Sequence, residues 1–362
     1  MTNEQDLFFA LTNFINPDKE RIRSLLPENA SASLLGNLFF NRMQGIAYGT
    51  LKSLDLLGTV NREFRNSLGS AYEQNSQKNL SYFKCVEYIT TIFNDVKKPY
   101  ALLKGALLCK MYPTGYRTSN DIDVLVNALD VGVFSQALLK AGFKQGNIRN
   151  GTFVAATRQE IVSSKLMRGE TVPFIIEINL PQIKYLEVDI NFSLDYKPGD
   201  SKMIEKLLND SVIENTYESN IRTLNKSDFF IHLCCHLYKE ATTLPWIKMK
   251  RDMTLYKYID ILYFVNGLSL EDTTQLFIRA EELKLKKICA CVTLWVDSLW
   301  PIDNDVLIEW ANKVIATDPD FLLKVIAPTE NKDYIYANKD IKERFFTNDR
   351  TKILKEITYE KT

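Results

Sequence analysis

Residues 99–126 read Pro99-Tyr-Ala-Leu-Leu-Lys104-Gly105-Ala-Leu-Leu-Cys-Lys-Met-Tyr-Pro-Thr-Gly-Tyr-Arg117-Thr-Ser119-Asn-Asp121-Ile-Asp123-Val-Leu-Val126. In an extended segment side chains alternate faces, so Asp121 and Asp123 point one way while Ile122, Val124 and Val126 point the other. The second face is apolar and belongs to a core. The first carries two carboxylates about 7 Å apart along a strand. Like charges that close are unfavourable unless something cationic lies between them, and hard oxygen ligands suit Mg²⁺ or Mn²⁺.

Moving outward, residues 185–194 alternate in the same way. Leu186, Val188, Ile190, Phe192 and Leu194 form an apolar face, while Glu187, Asp189, Asn191 and Ser193 form a polar one. If this strand lies beside the Asp121–Asp123 strand, Asp189 completes a three-carboxylate cluster able to hold one or two divalent cations. Residues 130–142 read as a helix with a glycine stop at Gly142. Phe174 to Leu180 alternates again, and Pro181-Gln182 separates it from the Asp189 strand, which predicts a hairpin.

Gly105 opening a helix, a loop, an Asp-x-Asp pair followed by apolar residues, and a later single Asp on a strand together resemble the DNA polymerase β-like nucleotidyltransferase superfamily. Leu-Lys-Gly at the helix start, Tyr-Pro and Arg before Asp-Ile-Asp, and Val-Asp-Ile-Asn later look like its branch of largely uncharacterised bacterial nucleotidyltransferases. The resemblance covers roughly residues 99–194. It implies that Asp121 and Asp123 bind the metal that grips the nucleotide phosphates. It further implies that Asp189 helps hold a second metal and orients or deprotonates the attacking group. Two metals roughly 3.5–4 Å apart stabilise the entering and leaving oxygens of an in-line displacement. The helix start at Gly105 offers unpaired backbone N–H groups as a phosphate cradle. Lys104 and Arg117 are the nearest cations for the triphosphate.

The chain departs from the superfamily at two places. Gly105-Ala106 stands where Gly-Ser is usual, which removes one hydroxyl from the phosphate site and leaves Lys104, Thr118 or Ser119 to compensate. Asn191 stands where a histidine or another polar residue is expected. Other readings of the same residues stay open. An Asp-x-Asp pair after Ser119-Asn120 is also what a solvated strand start looks like. Glu177 and Glu187 read as solvated. His232 and His236, four apart on a helix, have zinc-compatible spacing but no evident third ligand, and read as a packed, hydrogen-bonded pair. His236, Lys239 and Asp260 are candidate acceptor or nucleotide contacts by the resemblance alone.

Lys+Arg and Asp+Glu both number 45 in the 362 residues, so no global field attracts a polyanion. That argues against nucleic acid as a partner, since polymerases and tRNA-tailing enzymes need extended basic surfaces. The six cysteines show no C-x-x-C pair, and most lie in apolar helical context. No basic start with an apolar run opens the chain, and no apolar stretch has membrane-spanning length. These features predict a reduced, cytoplasmic protein with no membrane contact.

Three regions follow: helices over 1–97, the nucleotidyltransferase core over 98–200, and helices over 201–362. In the first, Asn29 or Ser31 caps a long helix carrying Leu34, Leu35, Leu38, Phe39, Met43 and Ile46, and another runs from about Asn61 to Val96. The fold class is α+β, a small mixed sheet flanked by helical regions. The expected activity is metal-dependent transfer of a nucleoside monophosphate from a nucleoside triphosphate, ATP among them, to a small-molecule or peptide acceptor, as in antibiotic or natural-product modification. The alternative is a non-catalytic nucleotide-binding or regulatory module on the same fold. A kinase-type phosphotransferase is disfavoured, because the chain lacks a P-loop and a His-Arg-Asp catalytic loop.

Overall fold

The computed structural model describes residues 1–194, 200–215, 218, 220–328, 330 and 332–357, so the last two regions are each described in part. It divides into two compact units, one of Leu68–Phe229 and one combining Met1–Ser67 with Phe230–Thr362.

The Leu68–Phe229 unit is built on an eight-stranded mixed sheet. Its strands are β1 (Tyr100–Leu102), β2 (Asp121–Val126), β3 (Lys144–Arg149), β4 (Thr152–Ala155), β5 (Phe174–Leu180), β6 (Ile183–Asn191), β7 (Val212–Glu214) and β8 (Ile221–Thr223), in the order β4-β3-β5-β6-β2-β1-β8-β7. β2 runs parallel to β6 and antiparallel to β1, and β5 and β6 form the expected hairpin. β7 and β8 lie where the pattern read as helix; three-residue strands are too short to show a period, and the ladder to Leu102 supplies their backbone partners.

The apolar sets alternate as read. Ile122, Val124 and Val126 join Leu186, Val188 and Ile190 in one core with Tyr82, Val86, Ile89 and Phe93 of the Arg62–Val96 helix and Phe134 and Leu138 of the Val131–Lys140 helix. Asn61 caps the long helix, its side-chain oxygen accepting from the Phe64 N–H at 2.8 Å. The Val131–Lys140 helix closes as its glycine predicts: Gly142 takes φ +92°, and the Phe143 N–H returns to the Leu138 carbonyl at 3.0 Å.

The other unit is mostly helical. Ser31 does cap a helix, but that helix is Ala32–Phe40 and a separate one spans Gln44–Ser53. Arg42 adopts φ +58° and the Met43 N–H bonds the Leu38 carbonyl at 2.8 Å, a left-handed closure that ends the first helix without a glycine. Lys284 ends the Leu270–Glu282 helix by the same device before Lys286–Leu299 begins. A three-stranded antiparallel sheet of Lys324–Val325, Asp333–Tyr336 and Leu354–Ile357 was not legible in the pattern. Its Val325 and Tyr336 pack with Leu244, Ile247 and Leu323. No described helix is long and apolar enough to cross a membrane.

Candidate active site

The parallel pairing of β2 with β6 sets Asp123 opposite Asp189, Asp121 opposite Glu187, and Leu125 opposite Asn191. Neighbouring strands lie about 4.8 Å apart, so residues paired in register carry their side chains on one face as close neighbours. Asp123 is buried, whereas Asp121, Asp189 and Glu187 are half-buried. Burial pushes the Asp189 carboxyl well above the usual carboxylate range, and the charges of Asp123, Asp121 and Glu170 add to the rise, with Lys104 opposing. Glu187 is not the solvated residue its pattern suggested. Burial, and then the charge of Asp121, raise its carboxyl. Glu177, on β5, is exposed as read.

Lys104 answers part of this charge. Its Nζ lies 2.8 Å from Asp123 Oδ1. Burial alone would lower its affinity for the proton, but Asp123 and Asp121 more than reverse that and hold the ammonium charged. Its backbone, at φ +43° and ψ −112°, lies outside the conformations favoured by side-chain-bearing residues. Asn191 Nδ2 donates to the same Asp123 oxygen at 3.2 Å, and to the Asp189 carbonyl at the same distance. Ser119 Oγ donates to Asp121 Oδ1 at 2.9 Å.

Gly105 is required by space. A Cβ there would lie 2.6 Å from Ser119 Cβ and Oγ and 2.9 Å from the Tyr82 hydroxyl. The cradle expected at this helix start is not formed as read. The Ala106 N–H turns inward to the Leu103 carbonyl at 3.2 Å and the Leu107 N–H to the Lys104 carbonyl at 3.1 Å, because the kink at Lys104 brings the preceding carbonyls under the first turn. Arg117 is buried rather than presented on the surface, and its guanidinium donates to the Thr118 carbonyl.

Two contributors escaped the pattern. Glu170 follows Gly169, which ends the Arg158–Arg168 helix in the left-handed conformation, and it bridges to Asn191 beside the carboxylates. Nothing in its local sequence signals this; the tertiary bridge alone places it. Asn79 is wholly buried on the long helix, and its partners lie more than thirty positions away, so its local sequence does not mark it.

The oxygen-rich set of Asp121, Asp123 and Asp189 matches the ligand preference of Mg²⁺ or Mn²⁺, and the accumulated negative charge is what a divalent ion offsets. As the side chains stand, no three His, Cys, Asp or Glu among the described residues converge on one point, since Lys104, Asn191 and Ser119 hold the individual carboxylate oxygens. The oxygen donors are of the right chemistry for a divalent ion, while in this arrangement the ammonium of Lys104 supplies the cationic charge beside Asp123. In the other unit, the rings of His232 and His236 stack with centroids 6.4 Å apart. His236 Nε2 lies 3.6 Å from Glu240, which also pairs with the buried Lys257.

No curated protein matches the sequence significantly. A solved structure, that of an antigenic nucleotidyltransferase-like protein from Paracoccidioides brasiliensis, is similar at 12% identity and a TM-score of 0.32, over 57% of this chain and 91% of its own. Residues 32–301 match the uncharacterised nucleotidyltransferase family. That span is well over half of the chain and holds every carboxylate of the site, so the protein belongs to the uncharacterised nucleotidyltransferase family.

Proposed function

We propose that the protein transfers a nucleoside monophosphate from a nucleoside triphosphate to a small-molecule or peptide acceptor and releases pyrophosphate. The observation that carries this reading is the register of Asp123 against Asp189, with Asp121 on the same face and Lys104 at 2.8 Å. Asp121, Asp123 and Asp189 are the residues to hold Mg²⁺ or Mn²⁺. An ion held by these carboxylates would offset the charge of the phosphates and of the entering and leaving oxygens. An acceptor oxygen bonds to the α-phosphorus, the bond from that phosphorus to the bridging oxygen breaks, and pyrophosphate departs. Asp189, set opposite Asp123 by the β2–β6 register, is suited to orient the acceptor and take its proton. Lys104 is suited to meet the phosphates by a charge-assisted bond. Balanced charge supports a small acceptor over nucleic acid. Six unbridged, buried cysteines support a reducing compartment such as the cytoplasm.

A second reading, a nucleotide-binding module without transfer, is favoured by Ala106 in the helix start and by the inward-turned N–H groups there. Incubation with each triphosphate, Mg²⁺ or Mn²⁺ and a panel of acceptors separates the two. Pyrophosphate release with a matching mass gain on an acceptor supports transfer, with Asp123→Asn silent. Metal-dependent triphosphate binding without release supports the module. Absence of both sinks the nucleotide site.

A further inference from the structure

One face of the Arg62–Val96 helix holds the loop that leads into the carboxylates. Tyr72, Asn75, Ser76, Asn79 and Tyr82 recur at three- and four-residue spacing, which puts them on one stripe. Asn79 uses both ends of its amide: Nδ2 donates to the Arg117 carbonyl at 2.8 Å, and Oδ1 accepts from the Gly115 N–H at 2.8 Å. Asn75 Nδ2 donates to the Gly115 carbonyl at 3.1 Å. The Tyr82 hydroxyl donates to the Asp121 carbonyl at 2.9 Å. Gly115, at φ +86°, fits so closely that a Cβ would lie 2.6 Å from Ser76 Oγ and 2.8 Å from the Tyr72 ring. A loop of this kind has few backbone partners of its own, so its course is set by whatever side chains satisfy it.

We propose that Asn79 and Tyr82 are positioning residues of the nucleotidyltransferase site: they set the backbone of residues 115–121 and so fix where the Asp121 and Asp123 carboxylates are presented. This rests on the carboxylates being the metal site. A buried amide that bonds a carbonyl and an N–H two residues apart defines both the position and the orientation of that peptide segment. The tyrosine then fixes the first residue of β2 itself. The same hydroxyl stands against Gly105, so the helix after Lys104 and the start of β2 are registered on a single atom.

The test is direct Mn²⁺ titration by calorimetry on the full chain, with thermal midpoints measured in parallel. Tyr82→Phe deletes only the hydroxyl, and Asn79→Ala deletes both amide bonds. Each folded variant is expected to bind Mn²⁺ about three- to tenfold more weakly than the wild type. A purely structural role lowers the midpoint but leaves the Mn²⁺ affinity of the folded protein unchanged, and that result overturns the proposal. Should Asn79→Ala fail to fold, Tyr82→Phe decides alone. A wild-type chain that binds no Mn²⁺ instead removes the metal-site reading, and this inference falls with it.

Discussion

At the scale of single residues, Asp189 carries the least favourable electrostatics of the site and gives the clearest pH signature. Its folded-state affinity for the proton is raised by burial and then by Asp123, Asp121 and Glu170. The unfolded chain releases that proton near the ordinary carboxylate pKa of about 4, so above that value the folded state binds more protons. The stability linked to Asp189 is therefore fully present below the unfolded pKa and is lost as pH rises through the raised folded one. In urea titrations with chelator present, the wild type should lose stability across that window more steeply than Asp189→Asn, in which only the raised carboxyl of Glu187 remains to contribute. Parallel slopes for the two would return Asp189 to a solvated setting. Gly105 makes a steric prediction. Gly105→Ala places a methyl 2.6 Å from Ser119 and should cost about 1–3 kcal/mol, with Ser119→Gly in the same chain restoring part of it. The carboxylates themselves were legible because alternation within a strand is a local property. Glu170 and Asn79 were not, because each acts on residues more than twenty positions away.

At the scale of elements, the strands that carry the chemistry were readable and their extensions were not. β2, β5 and β6 are six to nine residues long, enough for a period of two to show, and the pairing of β5 with β6 follows from the short turn between them. β7 and β8 are three residues each and take their identity from the strand beside them. β8 also braces the site from behind β1, where the Thr223 hydroxyl donates to the Leu102 carbonyl at 2.7 Å in a fully buried setting. Thr223→Val should cost about 1–3 kcal/mol in a denaturant titration while leaving triphosphate affinity unchanged. A loss of affinity equal to the loss of stability would show that β1 is held in place by this bond alone. The helix break at Arg42 is a related case. Arginine is a poor left-handed residue, so the pattern read through it, and the closure on Leu38 overrides the local preference.

At the scale of the whole molecule, a deeply buried ion pair in the Met1–Ser67 and Phe230–Thr362 unit joins Asp252 to Arg350. The guanidinium meets both carboxylate oxygens, Nε to Oδ2 at 2.7 Å and Nη2 to Oδ1 at 2.6 Å, and both side chains are almost wholly buried. Removing one partner strands a buried charge. Arg350→Met should therefore cost about 3–5 kcal/mol, and Asp252→Leu combined with it should recover most of that. A small loss in the single variant would mean that water reaches Asp252.

By itself the amino-acid sequence determined the periods: which residues of β2 and β6 face the core, which carry charge, where Gly142 stops a helix and that one starts near Asn29 or Ser31 and another near Asn61. These are decided within a few residues by side-chain direction and backbone preference. Only the tertiary structure decided that β6 lies parallel to β2 with Asp123 opposite Asp189, and that Lys104 reaches Asp123. It also turned the N–H groups of Ala106 and Leu107 inward and buried Arg117. Pairing and burial are properties of segments far apart in the chain, and the free energy that selects them comes from a core that exists only once those segments have met.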